Sequence, residues 1–80
     1  MNELIQNIEK LHTTPMGIER IRRNLSLGDV DAVEYCRGLI LSKNAQIERR
    51  GKNFYAHANG CEITVNASSF TIITAHKIKP

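Results

Sequence analysis

Histidines at positions 12, 57 and 76 are the side chains of this chain best suited to moving protons near neutral pH, because imidazole is the group that titrates closest to neutrality. His12 stands just before Thr13-Thr14-Pro15, and His76 closes the last apolar run on the face expected to carry Ile72 and Thr74. Both are expected at the seam between helices and sheet. Two imidazoles beside a helix-borne arginine make a general acid and base for phosphoryl transfer, with Arg20 or Arg23 stabilising charge on phosphorus. The alternative is a pair of partly buried histidines bonded to backbone carbonyls, with the arginines opposing a helix dipole. The histidines lack close ligand spacing and the two cysteines fall on different elements, so neither a metal nor any other cofactor is expected.

A second site competes, and it depends on a sheet. Asn59-Gly60 sits between two alternating runs, the strongest short hairpin signal a sequence carries. A type I′ turn there sets Ala58 opposite Cys61, His57 opposite Glu62, Ala56 opposite Ile63, Tyr55 opposite Thr64 and Phe54 opposite Val65. The apolar residues then share one face. A tight turn at Gly51-Lys52 adds Ile47 opposite Ala56, and a two-residue loop at Ala67-Ser68 adds Phe70 opposite Val65 and Ile72 opposite Ile63.

The other face is polar, as in an antiparallel sheet open on one side. Its expected rows are Arg50, Asn53, Asn66 and Ser69; then Glu48, Tyr55, Thr64 and Thr71; then Gln46, His57, Glu62 and Ile73, with Ile73 alone breaking the pattern. An aromatic platform at Tyr55, His57 beside Glu62, hydroxyls, amides such as Asn66 and a rim of Arg50 and Lys52 are the parts that stack a base and move a proton at a phosphodiester. Solvated strands carry the same residue types for cross-strand pairing alone.

The elements that must position these groups are α+β: two or three N-terminal helices on one face of a four-stranded antiparallel meander, with residues 1–43 helical and 44–79 forming the sheet of one domain. Leu4, Ile5, Ile8 and Leu11 form a short apolar stripe. Thr13-Thr14-Pro15 supplies an N-cap hydroxyl and a proline for a second helix, which continues through Ile18, Ile21 and Leu25. Gly28 is expected to end it, and Asp29 to cap a third helix with Val30, Val33, Cys36 or Arg37, and Ile40 inward.

Eighty residues give a small core that a dimer or a bound partner can complete. No apolar run approaches the ~18 residues of a membrane span. With Cys36 and Cys61 outside any Cys-x-x-Cys pattern and no basic-then-apolar leader, reduced thiols and a cytoplasmic location are expected. Charge is uneven: residues 1–34 carry four basic and six acidic groups, and 35–80 carry seven basic against two acidic. A basic half of this kind holds polyanions or serves solubility.

Leu11-His12-Thr13-Thr14, Gly17 with Arg20, Arg23 and Asn24, Gly51 to Tyr55, and the endings Ile63 to Ala67 and Ile73 to Lys77 resemble a small bacterial family, domain-of-unknown-function family 3781. The likeness covers nearly the whole chain and implies no activity. A more distant likeness, in helices followed by a four-stranded meander with His and Arg in the helical part and Thr and His near the end, is to the RelE, barnase and colicin-type ribonucleases. It implies metal-independent RNA cleavage with His12 and His76 as acid and base, Arg20 and Arg23 on phosphate, Thr74 beside them and Tyr55 stacking a base. The chain lacks the dense basic stripe and lysine cluster of the better-known members. Three functions follow as expectations: a small ribonuclease, which an inhibitory partner protein would restrain; a non-catalytic RNA-binding module; or a homodimeric interaction module with Ile73 in the contact.

Overall fold

Asn59 and Gly60 both adopt left-handed backbone, with φ of 49° and 75°, and the strands on either side pair in the register that such a turn dictates. In the computed structural model, which describes residues 3–78, β1 (Gln46–Arg50), β2 (Asn53–Ala58), β3 (Cys61–Asn66) and β4 (Ile72–Lys77) form one antiparallel sheet in the order β1-β2-β3-β4. The strands follow α1 (Glu3–Gln6), a 3₁₀ turn at Ile8–Lys10, α2 (Pro15–Asn24) and α3 (Ala32–Ile40). The fold is therefore α+β, with the helices N-terminal to a meander. Phe54, Ala56, Ile63, Val65, Phe70 and Ile72 are all buried, joined from the helices by Leu4, Ile21, Cys36 and Ile40.

Helix α2 is bounded by local chemistry. The Thr14 hydroxyl accepts from Gly17 N at 3.0 Å, and Pro15 opens the first turn. Its end comes earlier than Gly28: Ser26 takes φ 57°, and Leu27 N closes on Arg22 O at 2.8 Å. The α3 cap is Asp31, whose Oδ1 accepts from Glu34 N at 3.1 Å, rather than Asp29. The inward stripe shifts accordingly to Ala32, Cys36, Leu39 and Ile40, leaving Val30 exposed. Arg37 turns aside to donate to Ile8 O and Leu11 O, fastening the N-terminal segment to α3.

The β3–β4 pairing departs from a two-residue loop in two steps. The loop is longer: Asn66 Oδ1 accepts from the backbone N of Ser68 and Ser69, Phe70 takes φ 59°, and Asn66 N bonds Thr71 O. Val65 therefore faces Ile72 instead of Phe70, an even slip that preserves the faces. A β-bulge then inserts Ile73, so that Thr64 faces Thr74 and Glu62 faces His76. This odd insertion turns Thr74 and His76 away from the core.

The outer edge of β4 is covered. His12 bridges it in parallel, with His12 N on Phe70 O and Ile72 N on His12 O, while Thr13 Oγ1 donates to Ile72 O and Asn24 Nδ2 to Ala75 O. Helix α2 consequently runs along that edge. A Cβ at Gly17 would run into Thr13 Oγ1, which the edge contact holds in place.

Two outcomes test this packing. Phe70→Ala removes a ring stacked on Phe54 and should cost about 3–5 kcal/mol, measured by urea unfolding. Gly17→Ala should destabilise despite the ~1 kcal/mol that alanine gains over glycine within a helix; a rise in melting temperature would show that α2 is not held as described.

Candidate functional site

The open face now reads in rows. Gln46, His57, Glu62 and His76 lie across the four strands; next come Glu48, Tyr55, Thr64 and Thr74, then Arg50, Asn53 and Asn66. Strand alternation points all of these side chains away from the helices.

Glu62 is the centre of the first row. Its Oε2 lies 2.6 Å from His57 Nε2 and its Oε1 lies 3.4 Å from His76 Nε2, so the two imidazoles take different oxygens of one carboxylate. Hydrogen bonding from His57 holds the Glu62 carboxyl below its ordinary pKa against the opposing effect of burial, with further help from the charges of His57, His76 and Arg50. An ionised carboxylate only accepts, so the 2.6 Å hydrogen bond places a proton on His57 Nε2, while His76 Nε2 stands in a 3.4 Å ion-pair contact with the other oxygen. No described group bonds either Nδ1, and both histidine side chains are more than two-fifths exposed.

Behind this row, Arg50 lies 4.3 Å from the Tyr55 ring centroid and 2.8 Å from Glu48, and Asn53 Nδ2 reaches the Tyr55 hydroxyl at 3.5 Å. Thr64 is almost wholly covered at 6% exposure, flanked by Tyr55 and Thr74. The Asn66 carbonyl oxygen is occupied by the Ser68–Ser69 turn, and Lys52 stands exposed at the β1–β2 turn.

The expected pairing of His12 with His76 is not formed. His12 meets Thr71 at the start of β4, five strand positions from His76, roughly 16 Å at strand spacing. Its ring is fully used, with Nδ1 on Lys10 O at 2.7 Å and Nε2 on the Thr71 hydroxyl at 3.0 Å. His76 leaves the core face because of the bulge at Ile73, and it joins the open-face pair of His57 and Glu62 instead. Thr74 moves with it.

Arg20 and Arg23 lie exposed on α2, which Asn24 Nδ2 ties to the β4 edge at Ala75 O, and neither side chain bonds a residue of the row. Lys77 completes the corner through Ser26 Oγ. No cavity encloses the described part of the face, and no group of three or more His, Cys, Asp or Glu side chains there is arranged to hold a metal ion. Among the described residues no helix is long and apolar enough to cross a membrane.

A family model described as "Protein of unknown function (DUF3781)" matches residues 5–76. The chain belongs to this family. No curated protein and no solved structure matches it, so the wider likeness to ribonucleases gains no support from a relative. The DUF3781 match spans α2, α3, β1 to β3 and β4 as far as His76, so the His57–Glu62–His76 row lies within the family domain.

Because Glu62 is depressed in the folded state, its ionisation stabilises the fold above its ordinary value of 4.5 and that contribution is lost as pH falls through the lower folded value. Acid titration of stability should therefore show, below pH 4.5, a loss in the wild type that Glu62→Gln lacks. Parallel curves would mean that the histidines do not hold the carboxylate.

Proposed function

We propose that the open face of the sheet, with the α2 edge that borders it, binds single-stranded RNA. The observation that carries this reading is the state of two arginines. Arg22, Arg37, Arg49 and Arg50 each bond a carbonyl or a carboxylate, whereas the side chains of Arg20 and Arg23 bond nothing among the described residues and stand exposed on α2, the helix packed against β4. Unneutralised guanidinium groups beside a flat polar surface suit phosphate, which they can hold bidentately.

The acids of the face do not oppose this. Glu48 is paired with Arg50, and Glu62 is shared by two histidines. The Tyr55–Arg50 stack offers a π surface to an unpaired base, and the absence of a cleft among the described residues suits a strand laid across the sheet. Lys52 extends the positive rim at the opposite end. Within the basic half, residues 35–80, Arg49 is folded back onto Glu3 and Phe54.

Affinity for a labelled single-stranded RNA, followed by fluorescence anisotropy, should fall steeply with salt, with a log–log slope of about −0.7 per phosphate contacted. The double variant Arg20→Glu/Arg23→Glu should weaken binding on every sequence, as should Lys52→Glu more mildly, and Tyr55→Ala should cost ~1–3 kcal/mol. Absence of binding at low salt, or binding indifferent to salt, would remove RNA from the account.

A further inference from the structure

The geometry points to a chemical step on the same face: His57 and His76 act as the proton-transfer pair that cleaves bound RNA, with Glu62 fixing both rings. This rests on the RNA-binding reading above and goes beyond it.

Chemistry at a phosphodiester with a neighbouring 2′-hydroxyl needs a base on one side of phosphorus and an acid on the other. His57 and His76 lie on β2 and β4 with Glu62 on β3 between them, two strand spacings or about 10 Å from backbone to backbone. Both rings lean on the intervening carboxylate through Nε2. The hydrogen bond selects the Nε2–H tautomer of His57, the 3.4 Å contact draws the His76 ring to the other oxygen of the same carboxylate, and neither Nδ1 has a described partner. A structural pair would need one histidine for one carboxylate; here a single carboxylate orients two, and neither ring has another described partner.

The step balances with these groups alone. One imidazole takes the 2′-hydroxyl proton at its Nδ1 as the 2′-oxygen attacks phosphorus. The bond from phosphorus to the 5′-oxygen breaks, and the other ring, entering as imidazolium, gives its Nδ1 proton to that oxygen. The products are a 2′,3′-cyclic phosphate and a 5′-hydroxyl end. With one ring protonated, the row of two histidines and Glu62 is neutral and does not repel phosphate, and Arg20, exposed on the helix packed against β4, supplies positive charge to the pentacoordinate phosphorus. Water then restores the starting protonation states. Glu62 touches no reacting atom in this scheme; it is a positioning residue.

The test uses the full chain in EDTA with two oligonucleotides of one sequence, all-ribose and all-deoxy, following binding and cleavage in the same samples. The ribose strand should be cut to cyclic-phosphate ends, and the deoxy strand should stay intact while bound. His57→Ala and His76→Ala should each lower cleavage by ~10²–10⁴-fold with RNA still bound. Glu62→Gln should lower kcat with KM changed by no more than about twofold, as for a group that orients the reacting rings. His12→Ala, with its ring committed to Lys10 O and Thr71, should cut at the wild-type rate.

RNA that binds but stays whole overturns the chemical step and leaves the binding reading standing. No binding at low salt removes both. Cleavage that survives in both histidine variants, or that is lost in His12→Ala instead, also overturns the assignment.

Discussion

One inserted residue decides what the open face contains. Ile73 is the bulge between the Val65–Ile72 and Thr64–Thr74 pairs, and every β4 residue beyond it is turned over relative to an unbroken strand. Without it, Thr74 and His76 would point into the helices and Ala75 would face solvent. With it, Ala75 is fully buried and His76 reaches Glu62. The bulge is held by contacts on both sides: the His12 bridge and Thr13 fix Ile72, and Asn24 fixes Ala75. The first half of the chain thus sets the register of the last strand, and the site on one face depends on helix contacts made at the edge.

Much of this was legible in the residues. Asn59-Gly60 and Gly51-Lys52 are turns whose backbone requirements leave little choice, so the β1–β2 and β2–β3 registers follow directly from them. Thr14 and Pro15 mark the start of α2 for equally local reasons. The third hairpin was harder because its signal lies in a side chain. Asn66 folds its amide over Ser68 and Ser69, and the left-handed residue that closes the loop is Phe70, a bulky type that rarely takes positive φ. Ile73 stood out as the one apolar side chain in an otherwise polar set of rows, but Ile72 inward and Ile73 outward also suit a regular strand, so the bulge itself was not legible. Helix ends were misplaced for a related reason: Ser26 does the work that a glycine usually does.

The site inherits this pattern. His57 opposite Glu62 follows from a two-residue turn and is readable, whereas the third member of the row depends on a bulge and is not. His12, which spacing alone places at the seam, is there to hold β4, its ring spent on Lys10 O and Thr71. The physical distinction between a structural and a chemical histidine here is the number of ring nitrogens the fold has already used.

The central claim is that one carboxylate orients His57 and His76 together, and long-range proton–nitrogen NMR of the imidazole rings reads this directly. The account predicts that at neutral pH the uncharged form of both rings carries its proton on Nε2, and that Glu62→Gln shifts the ring nitrogens of both while those of His12 stay unchanged. A His76 ring that ignores the substitution, or that protonates on Nδ1, would contradict it.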